Sequence, residues 1–301
     1  MTSAPARGIQ ASPNLGGNQG KASATMLKVP RLVRKRFHTR VWCYAPRRFP
    51  ASDKPLTVLI PLASKDIGNA RKAIASLRRH LLHPVAEIVV AGQDRDDVRA
   101  FCAEAGARYI NELDVLPERA KARRDDGAPV VNGWVRQQLL KLLSFHYLDA
   151  VNVFVSDSDT FLMRDISLVD GDRQLLFLSD EYTGRYHVMT TRLLGPVRRH
   201  PRSFIAHQML LRRELMEALE ARVLEVRGVS LINAILDDID LATQSCLSEY
   251  ELYGNYLYNF RPGSFVTRYW YNAKVDPNVD VPLDELRARF GRLNTVSAHL
   301  H

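Results

Sequence analysis

The sequence predicts an α/β fold: a central, mostly parallel sheet flanked by helices, in a single domain at 51–301. Three observations carry this. Continuous apolar runs rich in β-branched residues stand at 56–62, 87–92 and 150–156, as in strands buried on both faces. Segments with helical apolar spacing alternate with the first of these, the order that right-handed crossovers in a parallel sheet require. Composition is ordinary for a globular chain, at 46% hydrophobic and 25% charged.

The leader comes first. Residues 1–25 are rich in Gly, Ala, Ser, Asn and Pro with few large apolar side chains. Such a segment is expected to be disordered, because it cannot bury enough surface to offset its ordering entropy. Its "GGNQGKAS" resembles a phosphate loop, but Leu15 stands where the first glycine belongs, and no strand precedes it. Residues 26–37, "MLKVPRLVRKRF", mix basic and apolar side chains. They suit a solvated linker, contact with an anionic membrane surface, or an organellar transit peptide. Met26 is an alternative start. Residues 1–50 hold ten Lys or Arg and no acid, while the rest carry 32 basic and 33 acidic side chains. The net charge of +9 therefore belongs to the leader, which argues against a nucleic-acid partner for the folded body.

No run approaches about 18 apolar residues, and no secretory signal is apparent. Cys43, Cys102 and Cys246 make neither a metal pattern nor a disulfide framework. A cytoplasmic location is the expectation, with residues 26–37 as the candidate for peripheral contact at the inner membrane face.

The folded part opens with a strand at 56–62. A helix follows over 69–82, with Ala70, Ile74, Leu77 and Leu81 on one face. A strand at 87–92, a helix at 96–106 closed by Gly106 and a short strand at 107–111 come next. Ligands of such sheets bind beyond the carboxyl ends of the strands, here 61–66 and 92–94. A long helix is predicted over 132–148, with Trp134, Leu139, Leu142, Leu143 and Tyr147 as its apolar stripe. The stretch 150–163 then reads as a central strand that breaks into Asp157 and Asp159.

Residues i and i+2 of a strand point the same way, roughly 6–7 Å apart. Two carboxylates facing one space cost free energy unless a cation or hydrogen-bond donors compensate. A hard divalent cation, Mg2+ or Mn2+, suits such oxygen ligands and would also bind substrate phosphates. Two aspartates capping a turn is the plainer alternative. A calcium loop is excluded by Phe161 and Leu162. A haloacid-dehalogenase-like phosphatase, with Asp157 as nucleophile, is a weaker match because Phe161 takes that motif's Thr position.

The run 137–170, "QQLLKLLSFHYLDAVNVFVSDSDTFLMRDISLVD", resembles glycosyltransferases of GT-A (Rossmann-like) fold. It is most similar to an uncharacterised bacterial GT-A-like group with the features "hPh..KD", "GW..QQ.LKL", "SDSDT", "SFIAHQM" and "SEYELYGNY". The resemblance implies a nucleotide-sugar donor and a metal bound by Asp159, with Asp157 at the ribose or the metal. It also implies donor contacts from Pro61, Ala63, Asp66 and Lys141. A late His commonly completes such a metal site; His299 is preferred over the terminal His301. His207 and Gln208 fall toward the acceptor space. Ser248 looks like an N-cap, with Glu249 and Glu251 in the first turn, where the helix dipole favours acids. In inverting enzymes the base stands at such a place, so Glu249, then Glu251, are the catalytic candidates.

The expected activity is metal-dependent sugar transfer to a hydroxyl of a glycan or lipid-linked acceptor, in bacterial surface polysaccharide synthesis. A phosphatase and a non-catalytic sugar-nucleotide binding protein are the alternatives.

Overall fold

The computed structural model describes residues 50–123, 127, 129–239 and 245–299. The leader, with its candidate surface segment 26–37, lies outside these residues, as does His301.

The first strand, β1, runs Leu56–Leu62 and is buried along its whole length. Helix α1 (Ile67–His80) follows and presses Ala70, Ile74 and Leu77 into the core, as its periodicity requires. Then come β2 (Val85–Gly92), α2 (Asp96–Glu104) and β3 (Arg108–Asn111). Gly106, in the turn after α2, has φ +58°, the left-handed conformation glycine supplies at little cost. Helix α3 (Gly133–Leu142) leads to β4 (Asn152–Ser156). Past β5 (Thr160–Leu162), β6 (Val169–Asp170) and β7 (Arg173–Leu178), α4 (Gly184–Leu194) precedes β8 (Gln208–Arg212). The chain continues through α5 (Arg213–Arg227), α6 (Leu231–Asp238), α7 (Glu249–Phe260), β9 (Phe265–Tyr269) and β10 (Asn272–Lys274). It ends in α8 (Leu283–Phe290) and β11 (Thr295–Ser297).

The central sheet has the order β3-β2-β1-β4-β8. All its pairings are parallel except β4 with β8. Its two faces bury different clusters, because successive side chains of a strand alternate. Leu59, Val153 and Val155 join the helices α3 to α7 on one side. Val58, Ile60 and Phe154 join α1 and α2 on the other. Two small sheets, β10-β11-β5 and β6-β7-β9, flank this core. Among the described residues no helix is long and apolar enough to cross a membrane.

Two elements differ from the sequence expectation. The predicted helix over 132–148 stops at Leu142, and a separate turn covers 144–147. The Arg213 guanidinium, from the start of α5, donates to the carbonyls of Phe145, Leu148 and Ala150 at 3.2, 2.9 and 3.0 Å. That partner offers the 145–150 carbonyls hydrogen bonds outside a continuous helical ladder. The predicted strand 150–163 also divides. β4 ends at Ser156, residues 157–159 turn, and β5 pairs in a different sheet. Trp134, assigned to the apolar stripe of α3, is 40% exposed.

His83, in the segment between α1 and β2, makes stability pH-sensitive. Its Nε2 accepts from the Leu168 amide at 2.9 Å while Nδ1 meets the Lys54 carbonyl at 3.1 Å. This arrangement needs neutral imidazole, donating through Nδ1. Burial pushes the ring below its ordinary value. The unfolded chain therefore binds a proton near pH 6.5 that the folded chain resists, so stability falls as pH drops below that value. Between pH 8 and 5.5, thermal melts are expected to show a larger loss for wild type than for His83→Gln. Equal losses would contradict this role.

Candidate active site

Strand register assembles the site. β4 and β8 pair with Ser156 opposite Gln208, and the Asp157 amide donates to the His207 carbonyl at 3.0 Å. The residue just after one strand thus meets the residue just before the other. β5 pairs with β11 so that Thr160 faces Ser297, and the Ala298 amide donates to the Asp159 carbonyl at 2.8 Å. This sets His299 beside Asp159. An isolated bridge between Ser179 and Ser203 lays the segment after β7 along the approach to β8, which brings Glu181 to His207.

His207 has φ +58° and is the one non-glycine residue among those described in the left-handed region. Such strain persists where surrounding structure imposes it, often at functional sites. The clamp is visible. Glu251 Oε1 accepts from the Ser203 hydroxyl and the Phe204 amide, and Oε2 accepts from Asn255 at 2.8 Å. Phe204 in turn lies against Gly254 of α7, where an added Cβ would stand 2.3 Å from the Phe204 ring. Gly to Ala within a helix ordinarily gains about 1 kcal/mol. Here overpacking is expected to reverse the sign, with Gly254→Ala losing about 1–3 kcal/mol in denaturant unfolding. A stabilised variant would refute the close fit.

Two charged clusters stand in a cavity of about 610 Å³. In the first, the buried Lys141 ammonium pairs with Asp157 and, at 2.6 Å, with Glu249 Oε1. The Tyr250 hydroxyl lies 3.1 Å from Lys141 and donates to Asp157 Oδ1 at 3.0 Å. Burial works against the charge on Lys141, yet the two carboxylates hold its pKa well above the ordinary lysine value. Burial alone would raise the Asp157 carboxyl, but Lys141 and His207 hold it far below the usual range. Glu249 is raised by burial, which Lys141 offsets only in part.

In the second cluster, ligand atoms of Glu181, His207 and His299 all lie within 4.8 Å of one another. Asp159 Oδ2 is 3.3 Å from His299 Nδ1. His207 bridges the clusters, with Nδ1 3.2 Å from Asp157 and Nε2 3.0 Å from Glu181. Burial opposes its protonation, but the two carboxylates raise it to about 9. The same ring, with Lys274, lowers Glu181 to about 2. His207 thus stands between two carboxylates, Asp157 and Glu181. Two imidazoles and one carboxylate, with the Asp159 carboxylate next to them at His299, form a donor set that suits a first-row divalent cation such as Mn2+. Asp157, behind His207, is placed to orient the ring as an outer partner.

Of the residues singled out in the sequence, Asp66, Lys141, Asp157, Asp159, His207, Glu249 and His299 line the cavity. Pro61, Ala63, Gln208 and Glu251 are not among its lining residues. Gln208 is buried, and its amide reaches Ser156 Oγ at 3.3 Å. Sequence reasoning missed Glu181, Trp134, Tyr182 and Tyr186 as lining residues. Glu181 had a signal: like the 157–159 pair, "SDE" follows a buried strand directly.

Residues 55–285 match the model of a Family of unknown function (DUF6492). No curated protein matches the chain in sequence. Among solved structures, mouse xyloside xylosyltransferase 1 in its apo form is similar over 82% of this chain and 98% of its own, at 11% identity and a TM-score of 0.45. An active-site mutant of LgtC is similar over 81% and 88%, at 15% identity and a TM-score of 0.42. The glycosyltransferase GlyE of Streptococcus pneumoniae TIGR4 covers 72% of this chain and is covered over 45% of its own length, at 14% identity and a TM-score of 0.35.

Proposed function

The chain belongs to the Family of unknown function (DUF6492), and we propose that this member transfers a sugar from a nucleotide-sugar donor to an acceptor hydroxyl, with a divalent cation in its site. The observation that carries the reading is the meeting of Asp159, Glu181, His207 and His299 on one cavity at the carboxyl end of β4. The motif order seen in the sequence supports it. So does position, since open α/β sheets bind ligands beyond their strand ends.

Asp159, Glu181, His207 and His299 would hold the cation. When bound, it would neutralise charge on the departing nucleoside diphosphate. Asp66, in the short turn that follows β1, suits the nucleoside side. Asp157 has both oxygens engaged, by Lys141 and Tyr250 on one and His207 on the other. That suits positioning and disfavours the phosphatase alternative, which needs Asp157 as a free nucleophile. In an inverting reaction, Glu249 would take the proton of the acceptor hydroxyl, and burial favours that role by raising its affinity for a proton. Glu251 would hold the His207 strand instead. The acceptor of this proposal is a glycan or lipid-linked glycan of bacterial surface polysaccharide synthesis, the class that the family resemblance of the sequence motifs suggests.

The test is a thermal-shift panel of the full chain with UDP, GDP and CDP, each with and without Mn2+. A ligand that binds only the folded state raises the melting temperature. One nucleotide is expected to stabilise the protein only when Mn2+ is present. A flat response to all three, with and without metal, would sink the proposal.

A further inference from the structure

We propose that Trp134 and Tyr186 form a stacking platform for a neutral sugar ring of the acceptor at the mouth of the cavity. This rests on the transferase reading and adds where the acceptor lies. Both residues line the cavity, Trp134 from the first turn of α3 and Tyr186 from α4. Their rings stack at 6.3 Å between centroids and 20° between planes. Asn132 fixes the helix start by accepting from the Val135 amide at 2.9 Å, so the indole is carried on a capped helix.

The indole is 40% exposed, in contrast to Trp270 at 3%. A large aromatic left open on a cavity wall offers a flat apolar face. The same cavity wall carries the hydrogen-bonding side chains Gln137, Thr183, Ser245 and Ser248, with the Arg185 guanidinium donating to Ser245 Oγ at 3.1 Å. An aromatic face bordered by amides and hydroxyls is the chemistry that recognises a pyranose, whose C–H face is apolar and whose edge carries hydroxyls.

A nucleobase would also stack, but position favours the acceptor. The nucleoside is expected beside Asp66, in the short helical turn that follows β1. Gln138 stands one turn after Trp134 on α3, and its Oε1 accepts from the Glu249 amide at 3.1 Å. The platform therefore adjoins Glu249, the residue proposed to meet the acceptor hydroxyl.

The probes are cellobiose, lactose and maltose, titrated against the full chain by calorimetry, with the nucleotide and Mn2+ panel run in parallel. At least one disaccharide is expected to bind saturably. Binding should weaken about tenfold in Trp134→Ala and be largely retained in Trp134→Phe, while the nucleotide response stays intact in both. Absence of binding by all three, with the nucleotide response present, would overturn the platform and leave the transferase reading standing. Equal binding by Trp134→Ala would overturn it as well. Loss of the nucleotide response in Trp134→Ala would assign the rings to the nucleobase and likewise overturn it. Sugar binding that depends on Trp134, with no nucleotide response in any protein, would keep the platform and overturn the transferase reading.

Discussion

Lys141→Met is expected to destabilise the protein by about 3–5 kcal/mol, the usual cost of breaking a buried ion pair from one side. Lys141 is 3% exposed and is shared between Asp157 and Glu249. Its loss strands two carboxylates in the interior. Asp157 keeps Tyr250 and His207, but Glu249 loses the ammonium 2.6 Å from its Oε1. Adding Glu249→Gln to Lys141→Met should therefore recover part of the loss, because one stranded charge is removed. Denaturant unfolding of the two single variants and the double variant gives the coupling directly. A single-variant cost below about 1 kcal/mol, or no recovery in the double, would mean that the three groups do not act as one unit.

The second large effect concerns the cation. Asp159→Asn and His299→Ala are each expected to abolish the Mn2+-dependent rise in melting temperature. For wild type that rise corresponds to about 2.7 kcal/mol at a metal concentration 100 times Kd. Metal-free stability should change little. Asp159 is partly open and carries a like-charge cost toward Asp66, and His299 lies beyond the last strand. The sign with pH also follows. His207 is raised to about 9 by Asp157 and Glu181 against the opposing pull of burial. Bound metal needs that ring neutral, so Mn2+ stabilisation should grow from pH 6.5 toward pH 9 as the competing proton becomes weaker. Variants that respond to Mn2+ as wild type does would remove Asp159 and His299 from the ligand set.

The order β1, α1, β2, α2, β3 was legible from local signals. Buried parallel strands read as continuous apolar runs, and α1 shows its core face at helical spacing. The Ser248 cap was legible for the same reason, since its hydroxyl accepts from the Glu251 amide within one turn at 3.3 Å. The candidate site was legible in part. Asp157, Asp159 and Glu249 could be named because an acidic pair ending a strand and a capped acidic turn leave marks in the sequence, whereas Lys141, His207 and His299 were named only through the family resemblance; all six line the cavity.

What each residue touches was not legible. Glu249 and Glu251 sit two positions apart in equivalent sequence surroundings. The first meets Lys141 on the cavity, and the second ties down Ser203 and Phe204. Asp157 and Asp159 looked like neighbours on one strand. They stand in a turn between two sheets, one held by Lys141 and the other beside His299. Glu181 reaches His207 through a bridge between residues 24 positions apart, Ser179 and Ser203.

The sequence by itself determined the α/β class and the first β-α-β-α-β run, and with the family resemblance it pointed to most of the charged and histidine side chains that line the cavity. Periodicity and capping act within a few residues of one another, so they are readable along the chain. The tertiary structure alone decided the partners: Lys141 between two acids, Glu181 with two histidines, and Trp134 open to solvent. The physical reason is register. Hydrogen-bond pairing between strands far apart in sequence sets which side chains share a space, and no local preference encodes it.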